Sequence, residues 1–344
     1  MSGIAGVYVS DGSIADSTVV RAMTDAMSYR GPDGISHWAN GGIALGHCMM
    51  RTTTEAMGES QPYVDPRSGS AITFAGRLDQ RETLIELLRG EGRLPLRTFD
   101  SALALGAYLL FGCDCLEAIN GDFAFAIWDN AQRRVILARD RMGLVPLHYY
   151  CSGPTVFFAS DAHAILRLPN VPKRLNQGVV AEILSDRWEL RGETLWQGIS
   201  TVRPGTYLLV DPSGTTAKRY WPSLSAIPDF PDNEEFLVSA YRRTLTDALA
   251  DCCRASTPVT FSVSGGLDSS ALICLSAELR GSGRCHDLNA LACTLNYAAT
   301  QGTSEIEFAR MACNAAKVDL IEFLPQPESE EDLLRHCEEF ESPP

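Results

Sequence analysis

The reading turns on Ser264-Gly265-Gly266-Leu267-Asp268-Ser269-Ser270. An apolar run, residues 258–263, precedes it, and residues 269–280 behind it have helical spacing. That context predicts a strand, a tight loop and a helix. Two adjacent glycines let backbone approach a ligand without Cβ obstruction. Successive N–H groups and the helix N-terminus then form an anion site. The serines add hydroxyls, and Asp268 can hold Mg²⁺ against phosphates. The Gly-Lys-Ser/Thr ending of the common mononucleotide loop is absent. The bland alternative is a simple strand-to-helix turn; the full string in this context favours nucleotide binding.

Outward from the loop, residues 287–295 and 318–323 read as strands and 304–316 as a helix. Strand alternating with helix indicates a doubly wound parallel sheet. A long amphipathic helix is predicted over 234–255. Before it lies a Pro-rich stretch with Pro222, Pro228 and Pro231, which reads as a linker over 221–233.

Residues 1–220 read differently. Strands are predicted at 4–9, 43–47, 70–75, 123–128, 134–139, 156–160 and 206–210. Helices are predicted at 16–28, 81–89, 101–111 and 179–184. Asp129-Asn130 predicts a hairpin between 123–128 and 134–139. Acidic runs at 328–332 and 338–341 read as solvated helix faces.

Composition sets bounds. The net charge of −14 over 344 residues argues against a nucleic-acid partner. Eleven cysteines are scattered without Cys-x-x-Cys spacing or a nearby His at zinc spacing, so reduced thiols and a cytoplasmic location are expected. The start lacks signal-peptide character. The longest apolar stretch, 102–111, is about half a membrane span, so no membrane partner is expected.

Several further strings complete the pattern: Arg30-Gly31-Pro32-Asp33-Gly34, Gln61-Pro62, Gly121-Asp122-Phe123-Ala124-Phe125-Ala126-Ile127-Trp128-Asp129 and Ala138-Arg139-Asp140-Arg141-Met142-Gly143-Leu144-Val145-Pro146-Leu147. With the 264–270 loop, which resembles the PP-loop of ATP pyrophosphatases, they resemble the asparagine synthase family in order and spacing. The resemblance implies an α+β Ntn-type αββα sandwich over 1–220. It also implies the first part of an α/β doubly wound parallel-sheet PP-loop domain over 234–344. ATP and Mg²⁺ are the implied cofactors. Ser264, Gly265, Gly266, Asp268, Ser269 and Ser270 would hold the phosphates, and the backbone of Val263 and Cys293 would lie near the adenosine.

Two departures shape the functional expectation. The family's nucleophile is a Cys directly after Met1; here the residue is Ser2. The family's oxyanion Asn-Gly pair reads here as Ala75-Gly76, which keeps an N–H but loses a side-chain donor, a loss typically worth about 10²–10³ in rate. Arg51 and Asp100 match the residues that hold glutamine's carboxylate and amino group. They are either a residual pocket or structural charges; the second is preferred, with Arg51 near the surface and Asp100 as a helix N-cap. His37, His47, His148 and His163 are expected in structural roles.

The expected activity is an ATP-dependent amide-forming ligase that activates a small-molecule or peptide carboxylate as its acyl-adenylate without hydrolysing glutamine. Such logic is similar to that of β-lactam synthetases and lasso-peptide cyclases. The alternatives are a glutamine-hydrolysing asparagine synthase and a non-catalytic remnant. The family's synthetase domain extends past the point reached at Glu338-Glu339-Phe340-Glu341, so a fragment is expected, with homodimerisation allowed.

Overall fold

The computed structural model describes residues 1–187, 192–221, 231–285, 288–296, 305–324 and 329–340. The chain divides into two compact units, one built mainly from residues 1–226 and the other from 227–339.

In the first unit the elements run β1 (Gly3–Val9), α1 (Ser17–Ala26), β2 (Ile35–Asn40), β3 (Ile43–Cys48), β4 (Tyr63–Val64), β5 (Ala71–Asp79), α2 (Arg81–Gly90), α3 (Asp100–Phe111) and α4 (Cys115–Ala118). They continue as β6 (Asn120–Asp129), β7 (Arg134–Arg139), β8 (His148–Ser152), β9 (Thr155–Ala159), α5 (Ala162–Leu166), α6 (Gln177–Leu184), β10 (Ile199–Thr201), β11 (Thr206–Asp211) and β12 (Gly214–Arg219). Two six-stranded sheets result, ordered β10-β8-β9-β1-β3-β2 and β12-β11-β7-β6-β5-β4. Their pairings are antiparallel.

Strand alternation explains the layers. On β5 and β6, Ile72, Phe74, Phe123, Phe125 and Ile127 face α2 and α3. Ala71, Ala75, Ala124, Ala126 and Trp128 face the other sheet, against Ile4, Ile43 and Phe158. Ala5 and Val7 of β1 face α1 and α5. Three apolar layers therefore separate helix, sheet, sheet and helix, the expected αββα sandwich. Small alanines on the inner face let the sheets meet closely, while Phe74, Phe123 and Phe125 stack with centroids 5.4–6.2 Å apart beneath the helices.

The hairpin at Asp129 forms as expected, β6 against β7. Asp129 holds the turn by accepting from the N–H groups of Ala131 and Gln132. The apolar region around α3 is longer than the sequence suggests: helical turns extend it over Asp100–Ala118, long and apolar enough to satisfy a span criterion. Its buried residues Leu103, Ala104, Leu105, Ala107 and Tyr108 belong to the unit's own core, which marks a core helix.

The second unit contains α7 (Glu234–Cys252), β13 (Val259–Ser262), α8 (Leu267–Gly281), β14 (Ala290–Leu295), α9 (Ile306–Ala316), β15 (Leu320–Phe323) and α10 (Glu330–Phe340). The strands form a parallel sheet, β13-β14-β15. Phe261, Val263, Ile273, Ala292, Ala309 and Cys313 make its core. Helix α7 stops at Cys252, short of the predicted 255. Most of the expected linker, residues 222–230, lies outside the described residues.

Candidate functional site

The loop 264–270 leaves the carboxyl end of β13, the end at which parallel sheets bind ligands. Gly265 has φ +92°, and a Cβ there would stand 2.5 Å from the Glu305 carbonyl oxygen. Only glycine fits that turn against the start of α9. Gly266 caps α8 in extended conformation. The hydroxyls hold the curve. Ser264 Oγ accepts from Gly266 N–H at 3.3 Å, and Ser269 Oγ accepts from Ser264 N–H at 3.2 Å and donates to the Gly266 carbonyl at 3.3 Å. Ser270 N–H donates to the same carbonyl.

Asp268 is the second residue of α8 and is exposed. Among the described residues no group of three His, Cys, Asp or Glu could enclose a metal. A lone carboxylate beside a loop that bound phosphate would still fit Mg²⁺, which takes one or two carboxylates and completes its shell with phosphate oxygens and water. Val263 and Cys293 are brought together, but Val263 N–H donates to the Cys293 carbonyl at 2.9 Å. Those two backbone groups are committed to the sheet. Sequence reading missed a cluster at the ends of β14 and β15. Arg310 donates twice to Glu322, at 2.7 and 2.8 Å, and Asn296 donates to it at 2.9 Å. The Arg310 hydrogen bond holds the Glu322 carboxyl below its usual range.

In the first unit, Ser2 sits buried just before β1. Its hydroxyl accepts from Met50 N–H at 2.9 Å and lies 3.2 Å from the Met50 carbonyl, to which it donates. The Met1 amino group is shifted below its ordinary pKa by burial and by the Arg30 charge. Arg30 grips Asp161 with two hydrogen bonds of 2.7 and 2.8 Å. Burial pushes the Asp161 carboxyl up, but Arg30 outweighs it and holds the group low.

Ala75 buries its methyl between the sheets and offers no donor. Gly76 has φ +124°, and a Cβ would stand 1.9 Å from the Asp122 carbonyl oxygen. The glycine is therefore required by the approach of β6, whatever its chemistry.

Arg51 and Asp100 belong to two hydrogen-bonded groups that meet at the adjacent residues Asp100 and Ser101. Arg51 donates its Nη2 to the Glu59 carbonyl at 3.0 Å. The Glu59 carboxylate accepts from Ser101 Oγ. Asp100 accepts from Leu78 N–H at 2.8 Å and pairs with Arg81. This corrects the expected N-cap: Phe99 is the cap of α3, Asp100 is the first helical residue, and its carboxylate points to β5 and Arg81 instead. Arg51 is half-buried, and its Nε is enclosed without a partner among the described residues. Glu59, Arg81 and Ser101 were not foreseen; no local motif marks them. Burial raises the Glu59 carboxyl, though Ser101, Arg51 and Arg81 oppose it.

His47 is fully buried, bonded at Nδ1 and with its Nε2 lacking a partner among the described residues. Thr73 donates its hydroxyl to the Gly46 carbonyl, so His47 Nδ1–H is the donor to Thr73 Oγ at 3.1 Å. The ring is neutral: burial pushes its pKa down to about 3. His148 is lowered to about 4 for the same reason.

A family profile described as a glutamine amidotransferase domain matches residues 1–221, and one described as asparagine synthase matches 240–342. Asparagine synthetase [glutamine-hydrolyzing] 3 of Bacillus subtilis (strain 168) is 31% identical over 80% of this chain and 45% of its own length. Amidase chyE of Penicillium rubens is 25% identical over 93% of this chain and 50% of its own. The chain thus spans about half the length of these curated relatives. Among solved structures, glutamine phosphoribosylpyrophosphate amidotransferase from B. subtilis, complexed with ADP and GMP, aligns with a TM-score of 0.47 and 16% identity. That alignment covers 97% of this chain and 70% of the other.

Proposed function

Since the chain belongs to the glutamine amidotransferase domain family and carries an asparagine synthase segment behind that domain, we propose that it serves an ATP-dependent carbon–nitrogen ligase whose nitrogen does not come from glutamine. One observation carries the reading: the Ser2 hydroxyl is spent on the Met50 backbone, and Ala75 has no side-chain donor for an oxyanion. A serine hydroxyl needs an adjacent base and a stabilised oxyanion to attack an amide. Neither is supplied by these two residues.

The phosphate loop supports the other half. Ser264, Gly265, Gly266, Ser269 and Ser270, with the first N–H groups of α8, would cradle ATP phosphates. A carboxylate of a small molecule or peptide attacks the α-phosphorus. The new P–O bond gives an acyl-adenylate as the α–β anhydride breaks and pyrophosphate leaves. An amine then attacks the acyl carbon, loses a proton and expels AMP. Asp268 would hold Mg²⁺, which offsets the charge of the departing pyrophosphate. A reducing compartment such as the cytoplasm is part of the proposal, supported by the scattered cysteines and the lack of Cys-x-x-Cys spacing.

The test is ammonia release from glutamine by the purified chain, alongside pyrophosphate release from ATP with a panel of carboxylates. The proposal expects no ammonia. Ammonia release that disappears in Ser2→Ala would replace it with the second reading, a glutamine-hydrolysing asparagine synthase. That reading is favoured by the polar partners that Arg51 and Asp100 each keep and by the name of the B. subtilis relative.

A further inference from the structure

The turn between β3 and β4 sends one acidic side chain inward. Met57, Gly58 and Ser60 are exposed, whereas Glu59 among them is only 5% exposed. Enclosing a carboxylate costs free energy unless donors and opposite charge replace its water. Burial is the largest influence on Glu59 and raises its pKa; the Ser101 hydroxyl, the Ser101 N–H, Arg51 and Arg81 all oppose it. The hydroxyl donates directly to the carboxylate, and Ser101 lies in the first turn of α3, the positive end of that helix. A hydroxyl, a helix N-terminus and two guanidinium charges therefore act on a single carboxylate. Such a set suits an anion whoever supplies it.

The chain supplies it by a tether. Glu59 N–H donates to the Ala56 carbonyl at 3.1 Å, and Arg51 Nη2 donates to the Glu59 carbonyl at 3.0 Å. Glu55, on the same turn, approaches Arg81 Nε at 3.8 Å. Burial outweighs the partners of the Glu59 carboxylate, so the turn holds the ionised side chain in place against a net electrostatic cost. Gly58 stands before it at φ +81°, with open space where a side chain would be. It lets the backbone turn there and leaves the side chain room to withdraw. The Nε of Arg51 is enclosed without a partner among the described residues, so an unused donor remains on the guanidinium that holds this turn.

We propose that Glu59 is a tethered occupant of a carboxylate-binding seat at the start of α3, and that its turn is a latch which excludes small free carboxylates while it is closed. A plain helix cap would behave differently: its removal would weaken α3 without creating a site selective for an anion. Neither the 264–270 loop nor Ser2 takes part, so the latch stands whether or not the ligase reading does.

Glu59→Ala removes Cγ and the carboxyl group, the atoms of one acetate. The test is the thermal transition of the first unit, followed in the full chain with sodium acetate, with acetamide as the uncharged isostere and sodium chloride as the ionic control. At about 0.1 M, roughly ten times a Kd of about 10 mM, acetate should raise the melting temperature of the Glu59→Ala chain by about 3 °C. Acetamide and chloride should not, and the unsubstituted chain should move by less than about 1 °C in acetate. Adding Ser101→Ala to Glu59→Ala should weaken acetate about tenfold and remove most of the gain. An equal gain in the unsubstituted chain overturns the proposal, because the seat would then be open. So does an equal gain from acetamide, no gain from acetate, or a gain that Ser101→Ala leaves intact. If Glu59→Ala does not fold alone, refolding in acetate but not in acetamide or chloride is the supporting result, and failure in all three overturns the proposal.

Discussion

Asp100 and Arg81 are both nearly enclosed, and each neutralises the other. Arg81→Met would leave a buried carboxylate facing only the Leu78 N–H. The expected cost is about 3–5 kcal/mol, read from the urea midpoint. Gly76→Ala should also destabilise, by at least about 2 kcal/mol, because a side chain at φ +124° meets the neighbouring strand. The two enclosed imidazoles set a pH dependence. His47 and His148 have folded pKa values of about 3 and about 4 against an ordinary 6.5. Unfolding therefore takes up protons below pH 6.5, so the stability these rings contribute is full above 6.5 and falls as pH drops towards 4. Urea midpoints measured across that window should decline with acidification. Replacing His148 by Gln should flatten the slope.

At the scale of elements, the loop between β13 and α8 carries the sharpest prediction. Gly265→Ala drives a Cβ into the Glu305 carbonyl. Pyrophosphate release should be lost, while the thermal transition of the first unit stays in place. That loop was legible in sequence because its chemistry is local: glycine, hydroxyl and carboxylate in one string between an apolar strand and a helix. The β6–β7 hairpin and α1, α2 and α3 were legible for the same reason, period and turn residues agreeing. Strand β12, Gly214–Arg219, was not read at all. Each of its residues is exposed, so it carries no apolar alternation, and its backbone pairing with β11 makes it a strand. Strands β2, β8 and β10 likewise went unread, their residues being mixed in polarity and ordered by neighbours distant in sequence. The site divides along the same line. Ser2, Arg51, Gly76 and Asp100 stand in recognisable strings, whereas Glu59, Arg81 and Ser101 become polar partners only when α3 folds over β5. The misplacement of Asp100 as a cap came from weighing its local preference without the Arg81 that claims it.

The two units share one trait as wholes. Each leaves large apolar side chains more than half exposed, Ile14, Leu96, Met142 and Leu184 in the first and Phe308, Met311, Phe323 and Leu324 in the second. Patches of that kind invite association. The full chain should therefore bind a hydrophobic dye and show concentration-dependent mass in light scattering. A dye-silent, monomeric full chain would contradict this. The sheet order β13-β14-β15 bears on timing as well as association. The strand that feeds the 264–270 loop has a strand neighbour on one flank among the described residues. If that loop holds ATP as proposed, a site bounded by one strand neighbour predicts a short residence time. In a nuclear-resonance titration the loop signals should slide continuously with added ATP, averaged by rapid exchange, instead of vanishing and reappearing at new positions.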